Sequence, residues 1–259
     1  MPFTDAERAT LWRIAHALAD AARPATLRHF RSAELAADNK LAAGFDPVTA
    51  ADHGAEDAMR AILAQERPQD AILGEERGHK KGTSGLTWLL DPVDGTRGFL
   101  SGTPTWGVLV ALSDAAGPRL GIIDQPYIGE RFWGGLGQAF VEGPTGRAPL
   151  RTRSERPLDQ AIVFTTFPEI GTEAERAAFT RVAQRARLVR YGMDCYAYAL
   201  VAAGQIDLVI EAGLQAYDVQ APIAVIEAAG GVVSDWQGRP VHDGGRGIAA
   251  AHPGIHAAA

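Results

Sequence analysis

The stretch "WLLDPVDGTRGF", residues 88–99, constrains this chain more than any other. The apolar run over 87–90 predicts a strand, and Pro92, which has no N–H to donate to a ladder, interrupts regular pairing just beyond it. The strand therefore delivers Asp91 and Asp94 into a tight turn that Gly95 permits. A second apolar run over 71–74 predicts another strand, and it ends in Glu75 and Glu76. Neighbouring strand ends of this kind gather three or four carboxylates, an arrangement that is repulsive unless protons or cations compensate it.

A hard divalent cation held through oxygen is the economical compensation. Asp91 and Asp94 supply side chains and Val93 a carbonyl, which suits Mg²⁺. Of the seven histidines only His252 and His256 stand at a ligand spacing, with no cysteine or third histidine beside the acidic motifs, which disfavours zinc there. Gly95 and Thr96 follow with backbone amides suited to an anionic oxygen, so a phosphate ester fits beside the cation. A plain turn is the competing reading, since Asp, Pro and Gly all favour turns.

Charge removes other classes. With 31 acidic against 25 basic residues the net charge is −6, and no dense Lys/Arg run marks a nucleic-acid surface. The single cysteine, Cys195, excludes an intramolecular disulfide and points to a reducing compartment. In "YGMDCYAYAL" it reads as a buried small hydrophobe rather than a nucleophile. Residues 1–22 read as a capped amphipathic helix rather than a signal peptide, and no apolar stretch reaches the roughly 20 residues that a membrane span needs. Cytoplasm is the expected compartment, with neither membrane nor nucleic acid as a partner.

The pattern changes along the chain. A short second helix is expected over 24–30 and a longer one over 49–65, which carries Asp52 in its first turn. Short strands over 71–74, 87–90, 106–112, 120–125 and 131–133 suggest a meandering, largely antiparallel sheet backed by the early helices. Beyond residue 147, strand and helix alternate as in an α/β half with crossovers: strands over 162–165, 188–191, 206–211 and 232–235, helices over 173–186, 195–203 and 219–229. The expected division is an α+β half, 1–146, and an α/β half, 147–259, packed as one unit. The last ten residues are expected to give a strand residue or two and a frayed end. Asp218, at the start of an apolar helix, suits a helix cap and a cation ligand alike.

Taken in order, "GEE", "WLLDPVDGTRGF" and "YDVQAPIAVIEAAGG" resemble the signatures of the inositol monophosphatase superfamily of Mg²⁺-dependent, lithium-sensitive phosphatases, over nearly the whole chain. The resemblance implies the layered α-β-α-β-α sugar-phosphatase fold, a homodimer, and two or three Mg²⁺ per active site. It places one ion on Glu75, Asp91 and the Val93 carbonyl and a second on Asp91, Asp94 and Asp218, with Glu75 assisting a weaker third. It also implies that Thr96 and Asp52 orient the attacking water and that no phosphoenzyme forms. Lys40 lies near a family lysine on a closing loop and is left outside the site.

The ester is a separate question. Arg97 replaces the small polar residue that inositol phosphatases usually carry after Asp-Gly-Thr. Glu211 matches a family position that touches the substrate alcohol, and Asp194 lies in the matching segment before a helix, where capping is its alternative role. Two carboxylates there suit a cationic leaving group, whereas a polyol needs no net negative charge. The motifs are most similar to the histidinol-phosphate phosphatase branch, which implies hydrolysis of L-histidinol phosphate to L-histidinol and phosphate in histidine biosynthesis. An inositol-1-phosphate phosphatase of broad specificity is the alternative. A 3'-phosphoadenosine 5'-phosphate phosphatase is more distant, because few basic residues are available for a second phosphate. The last alternative, a non-catalytic metal- or phosphate-binding regulator, conflicts with the retention of Glu75, Asp91, Asp94, Thr96 and Asp218.

Overall fold

The computed structural model describes residues 3–32, 37–39 and 47–259. Thr4 opens helix α1 (Asp5–His29) through a capping box in which its backbone N–H donates to the Glu7 carboxylate at 2.7 Å. A two-stranded ribbon of β1 (Ala37–Asn39) and β2 (Pro47–Thr49) leads into α2 (Ala50–Glu66). The first large sheet is built from β3 (Ala71–Gly74), β4 (Gly78–Lys80), β5 (Thr87–Asp94), β6 (Gly107–Asp114), β7 (Gly117–Gln125), β8 (Glu130–Gly135), β9 (Gln138–Gly143) and β10 (Gly146–Pro149), with the short helix α3 (Thr96–Ser101) between β5 and β6. Its order is β10-β9-β8-β7-β6-β5-β3-β4, antiparallel throughout except for the parallel pair β3 and β5. That pair sets Glu75 beside the end of β5, and the Glu75 N–H donates to the Leu90 carbonyl at 3.1 Å.

The second half supplies β11 (Ile162–Thr165), α4 (Glu173–Ala183), β12 (Leu188–Tyr191), α5 (Asp194–Ala202), β13 (Leu208–Gln215), α6 (Ala216–Ala228), β14 (Val232–Ser234), β15 (Gly244–Ala250) and α7 (Pro253–Ala258). Its five strands run in the order β12-β11-β13-β15-β14.

Residue alternation in the strands builds the layers. On β5 and β6, Trp88, Leu90, Val108 and Val110 face Leu11, Ile14, Leu18, Met59 and Leu63 of α1 and α2. Leu89, Leu109 and Ala111 point the other way, onto Val201 of α5 and Val219 and Val225 of α6. The same middle cluster includes Val209 and Ala249 of the second sheet, whose far face packs Leu208, Ile210 and Ile248 on Phe179 of α4 and Ile255 of α7. The result is the layered α-β-α-β-α arrangement. Helix α6 lies so close to the first sheet that a Cβ at Gly121 would come within 2.4 Å of the Ala221 carbonyl oxygen. Glycine is therefore required there, and the approach fixes the helix that carries Asp218.

Several expected boundaries move. The second helix over 24–30 is the end of α1, which runs through Pro24. An interior proline costs about 3 kcal/mol, and burial of Ala22 and Thr26 offsets it, as do two bonds at 2.8 and 2.7 Å from the Arg23 guanidinium to the fully buried Asp124 carboxylate. Phe30, just beyond α1, packs with Val93, Phe99 and Trp106, so the first helix also braces the aspartate turn. Strand β5 continues through Asp94, past the expected end at residue 90, because the ladder shifts register between Asp91 and Asp94 and absorbs the proline. The C-terminus is not frayed: β15 has seven residues, and the His252 ring accepts from the Ile255 N–H at 3.1 Å to cap α7.

Candidate active site

Both strands that carry site residues break register where the acids emerge, β5 between Asp91 and Asp94 and β13 between Glu211 and Leu214. A bulge turns side chains out of the pleat and re-aims them. At the first, the Asp91 carboxylate accepts from the Val93 N–H at 3.1 Å, and the Thr96 hydroxyl donates to the Val93 carbonyl at 3.2 Å. Gly95 then takes φ 85°, ψ 41° and starts α3. A Cβ at Gly95 would meet the Asp194 carboxyl carbon at 2.8 Å, so glycine is demanded both by the backbone and by the crossing of α5.

Helices α5 and α6 bring the second half to this turn. The Cys195 N–H, in the first turn of α5, donates to the Asp94 carboxylate at 2.5 Å. Asp218 lies in the first turn of α6 and accepts from the Gln215 N–H at 2.7 Å in a capping box. Capping occupies one of its oxygens, so the cap and ligand readings of Asp218 are compatible. Asp91, Asp94 and Asp218 each place a carboxylate oxygen within 4.8 Å of the others.

Electrostatics make this cluster costly. Burial, then the charges of Glu75, Asp94, Asp218 and Asp52, push the Asp91 carboxyl well above its ordinary range. Burial and Asp218 push Asp94 up to about 7, while burial, Glu75 and Glu211 push Asp218 up to about 7. An all-oxygen donor set of mutually repelling carboxylates is the environment in which a divalent cation replaces protons, so the residues present fit Mg²⁺.

Glu75 lies outside the close trio but near enough to raise the pKa of both Asp91 and Asp218. Its turn is pinned from below. The fully buried Glu56 carboxylate on α2 accepts from the Glu76 and Arg77 N–H groups at 2.7 and 3.1 Å and from Arg60 at 2.6 Å. Asp52, one turn earlier, has only 2% of its surface exposed, which removes its reading as a solvated charge on a helix face. Lys40 lies outside the described residues.

A cleft of about 180 Å³ opens beside the trio, lined by Asp94, Asp218, Asp194, Glu211, Thr166, Phe167 and Tyr198 among others. Glu211 accepts from the Thr166 N–H at 2.7 Å and from the Thr166 and Thr165 hydroxyls at 2.9 and 3.2 Å. These bonds lower its pKa, yet burial outweighs them and holds it at about 7. Asp194 is the first residue of α5 and has φ 45°, with no capping bond from the preceding residue. A non-glycine residue held there stores strain of a kind common at functional sites. Burial and Asp94 push its carboxyl up to about 7, and Arg97 pulls it back. The Arg97 guanidinium itself lies over the Phe167 ring, 4.5 Å from its centroid. Cys195 is buried and its thiol is pushed well up by burial and the acids, so only its backbone serves the site. A larger groove of about 820 Å³, lined by Phe179, Val182, Trp236 and His256, contains none of the predicted site residues apart from the strand neighbourhood it shares with β13.

The sequence reading missed Thr165, Thr166, Phe167 and Tyr198. The first three stand at the end of β11, and only their nearness to Glu211 across the sheet marks them. Tyr198 lies in a run read as core.

With that geometry in hand, the family model for the inositol monophosphatase family matches residues 7–259. The chain belongs to the inositol monophosphatase family. It is therefore a phosphatase of that metal-dependent, generally Mg²⁺-using family. Among its relatives, the chloroplastic bifunctional phosphatase IMPL2 of Arabidopsis thaliana is 41% identical over 238 residues, covering 91% of this chain and 67% of that protein. The histidinol-phosphatase of Mycobacterium tuberculosis is 32% identical over 239 residues, 91% of each chain. The solved inositol monophosphatase from Zymomonas mobilis superposes with a TM-score of 0.85 at 39% identity, covering 99% of this chain and 97% of that one. Among the described residues, no helix is long and apolar enough to cross a membrane.

Proposed function

We propose that this phosphatase hydrolyses L-histidinol phosphate to L-histidinol and phosphate. The observation that carries the reading is the lining of the cleft: Asp94, Asp194, Glu211 and Asp218 share it, and among the described residues no basic side chain is in that lining, Arg97 standing behind Phe167. A leaving alcohol with an ammonium group gains charge-assisted hydrogen bonds from Asp194 and Glu211, whereas a neutral polyol leaves those charges uncompensated. That the Mycobacterium tuberculosis relative is a histidinol-phosphatase supports the same ester, and the Caulobacter vibrioides inositol-1-monophosphatase, 34% identical, supports the broader alternative.

In this proposal Glu75, Asp91, Asp94, Asp218 and the Val93 carbonyl hold Mg²⁺, which when bound neutralises phosphoryl charge and acidifies water. The Gly95 and Thr96 amides meet the phosphate, and Thr96 with Asp52 orients the attacking water. Arg97 backs Phe167 on the side of the cleft that meets the leaving alcohol. The two halves, 1–146 and 147–259, act as one unit around it, within a cytoplasmic homodimer.

The deciding experiment is phosphate release, with Mg²⁺, from L-histidinol phosphate, myo-inositol 1-phosphate and 3'-phosphoadenosine 5'-phosphate side by side. A preference of at least tenfold in kcat/KM for the first is expected, corresponding to about 1.4 kcal/mol of differential binding. Equal or better turnover of inositol phosphate would overturn the choice of ester and leave the phosphatase standing.

The support under Glu75 gives a second test. Glu56→Gln replaces a carboxylate that accepts three bonds with an amide that must turn an N–H₂ toward one donor. Outer partners of metal ligands are worth about 10–100-fold in metal affinity, so the Mg²⁺ concentration for half-maximal activity should rise by about tenfold or more. An unchanged Mg²⁺ titration would show that Glu56 holds only the fold.

A further inference from the structure

Tyr198 is 5% exposed and is one of the residues that line the cleft, and its buried hydroxyl has no hydrogen-bond partner among the described residues. Buried tyrosine hydroxyls ordinarily find one, because desolvating the group unpaired is costly. A phenylalanine at this point of α5 would pack as well with no such cost. The carboxylates nearby carry other bonds and none accepts from the phenol: the Glu211 oxygens take Thr165 and Thr166, one Asp94 oxygen the Cys195 N–H, and one Asp218 oxygen the Gln215 N–H. Burial and the charges of Glu211, Asp94 and Asp218 keep the phenol protonated, so toward a ligand it acts as a donor.

Two kinds of group therefore face the leaving alcohol, with Asp194 and Tyr198 one turn apart on α5 and Glu211 on β13. Asp194 and Glu211 call for a cation, and Tyr198 calls for a lone pair. At the mouth, Phe167 is 41% exposed and adds an apolar face backed by Arg97. A planar ring that carries an unprotonated nitrogen, joined to an amino alcohol, satisfies all three.

We propose that Tyr198 is a specificity-determining residue that donates its phenolic O–H to a lone-pair atom of the leaving alcohol, a ring nitrogen in the amino-alcohol ester proposed above, on which that last detail rests. The phosphate is not the acceptor, so the contribution of Tyr198 depends on the alcohol and vanishes for an alcohol that offers no lone pair at this wall.

Tyr198→Phe tests this, because it removes one oxygen and retains the packing. The variant and the wild type are compared on L-histidinol phosphate, myo-inositol 1-phosphate and phenyl phosphate, whose leaving group has no second acceptor. On the first, KM should rise about five- to tenfold, the worth of one hydrogen bond, with kcat within about twofold. Phenyl phosphate kinetics should be unchanged, and the melting temperature unchanged or higher. An equal loss on all three esters would overturn the proposal by making the role one of fold or phosphate binding. An unchanged KM on the better-turned-over natural ester, with a raised melting temperature, would overturn it too. The wild-type ranking alone judges the choice of ester. If inositol phosphate ranks first, the amino-alcohol reading fails, and a five- to tenfold KM rise on that ester still supports the donor role.

Discussion

Asp94→Asn is expected to fold, to lose at least about a hundredfold in kcat/KM, and to melt higher than the wild type in metal-free buffer at pH 8. The three outcomes share one cause. Asp94 is among the acids whose carboxyl burial and Asp218 push up to about 7, so at pH 8 its charge opposes folding. An amide keeps the side chain's shape, and its oxygen still accepts from the Cys195 N–H that now reaches the carboxylate at 2.5 Å. What is lost is a negative charge next to Asp91 and Asp218, within the 4.8 Å trio. Outer-sphere partners of metal ligands cost 10–100-fold when removed, and a direct ligand should exceed the upper part of that range. Circular dichroism, a thermal melt without metal, and phosphate release across a Mg²⁺ titration read the three effects separately. Near-wild-type turnover would sink the assignment of Asp94 as a ligand, and a lower metal-free melting point would sink the account of its charge.

What the sequence made legible follows from where the information is local. The apolar runs over 87–90 and 106–112 give the first sheet because its central strands are buried on both faces, and Gly95 after Asp94 gives the turn because the left-handed backbone there favours glycine. The break expected at Pro24 failed for the opposite reason. Helix α1 is continued by contacts with residues distant in the sequence, Arg23 on Asp124 and Phe30 on Trp106, and no local rule contains them. Strands β9 and β10 were missed because their residues are half-buried or exposed at the sheet edge, with little alternation to read. At the site, acids were found because carboxylates clustered at strand ends demand compensation. The threonines that orient Glu211 and the hydroxyl of Tyr198 were not, because a hydroxyl in an apolar run carries no signal until its neighbours across the fold are known. Asp194 shows the intermediate case. Its charge was visible, but its left-handed backbone and its close approach to Gly95 depend on the crossing of the two halves and were not.

The same acids set the pH response of the metal-free protein. Asp94, Asp194, Glu211 and Asp218 are each pushed up to about 7, chiefly by burial. In the unfolded chain, carboxyls titrate near 4. Between pH of about 4 and about 7 the native state therefore holds protons that the unfolded state has released, and stability falls as pH rises through that window. Below it both states are protonated, and the stabilisation is fully present. A three-unit shift corresponds to about 4 kcal/mol for one isolated group. These groups share one cleft and repel one another, so their joint effect is smaller than the sum. A loss of several kcal/mol, on the order of 10 °C in melting temperature for a chain of this size, is expected between pH 5 and pH 8 without metal. Mg²⁺ binds the ionised cluster in competition with protons, so the stabilisation it confers should be small at pH 5 and grow toward pH 8, reaching about 2.7 kcal/mol at a hundred times its dissociation constant. Melting curves at pH 5, 6.5 and 8, each with a chelator and with Mg²⁺, decide the matter. A metal-free melting point that climbs with pH, or a Mg²⁺ shift of equal size at pH 5 and pH 8, would mean that the buried acids are compensated by something other than protons and a cation.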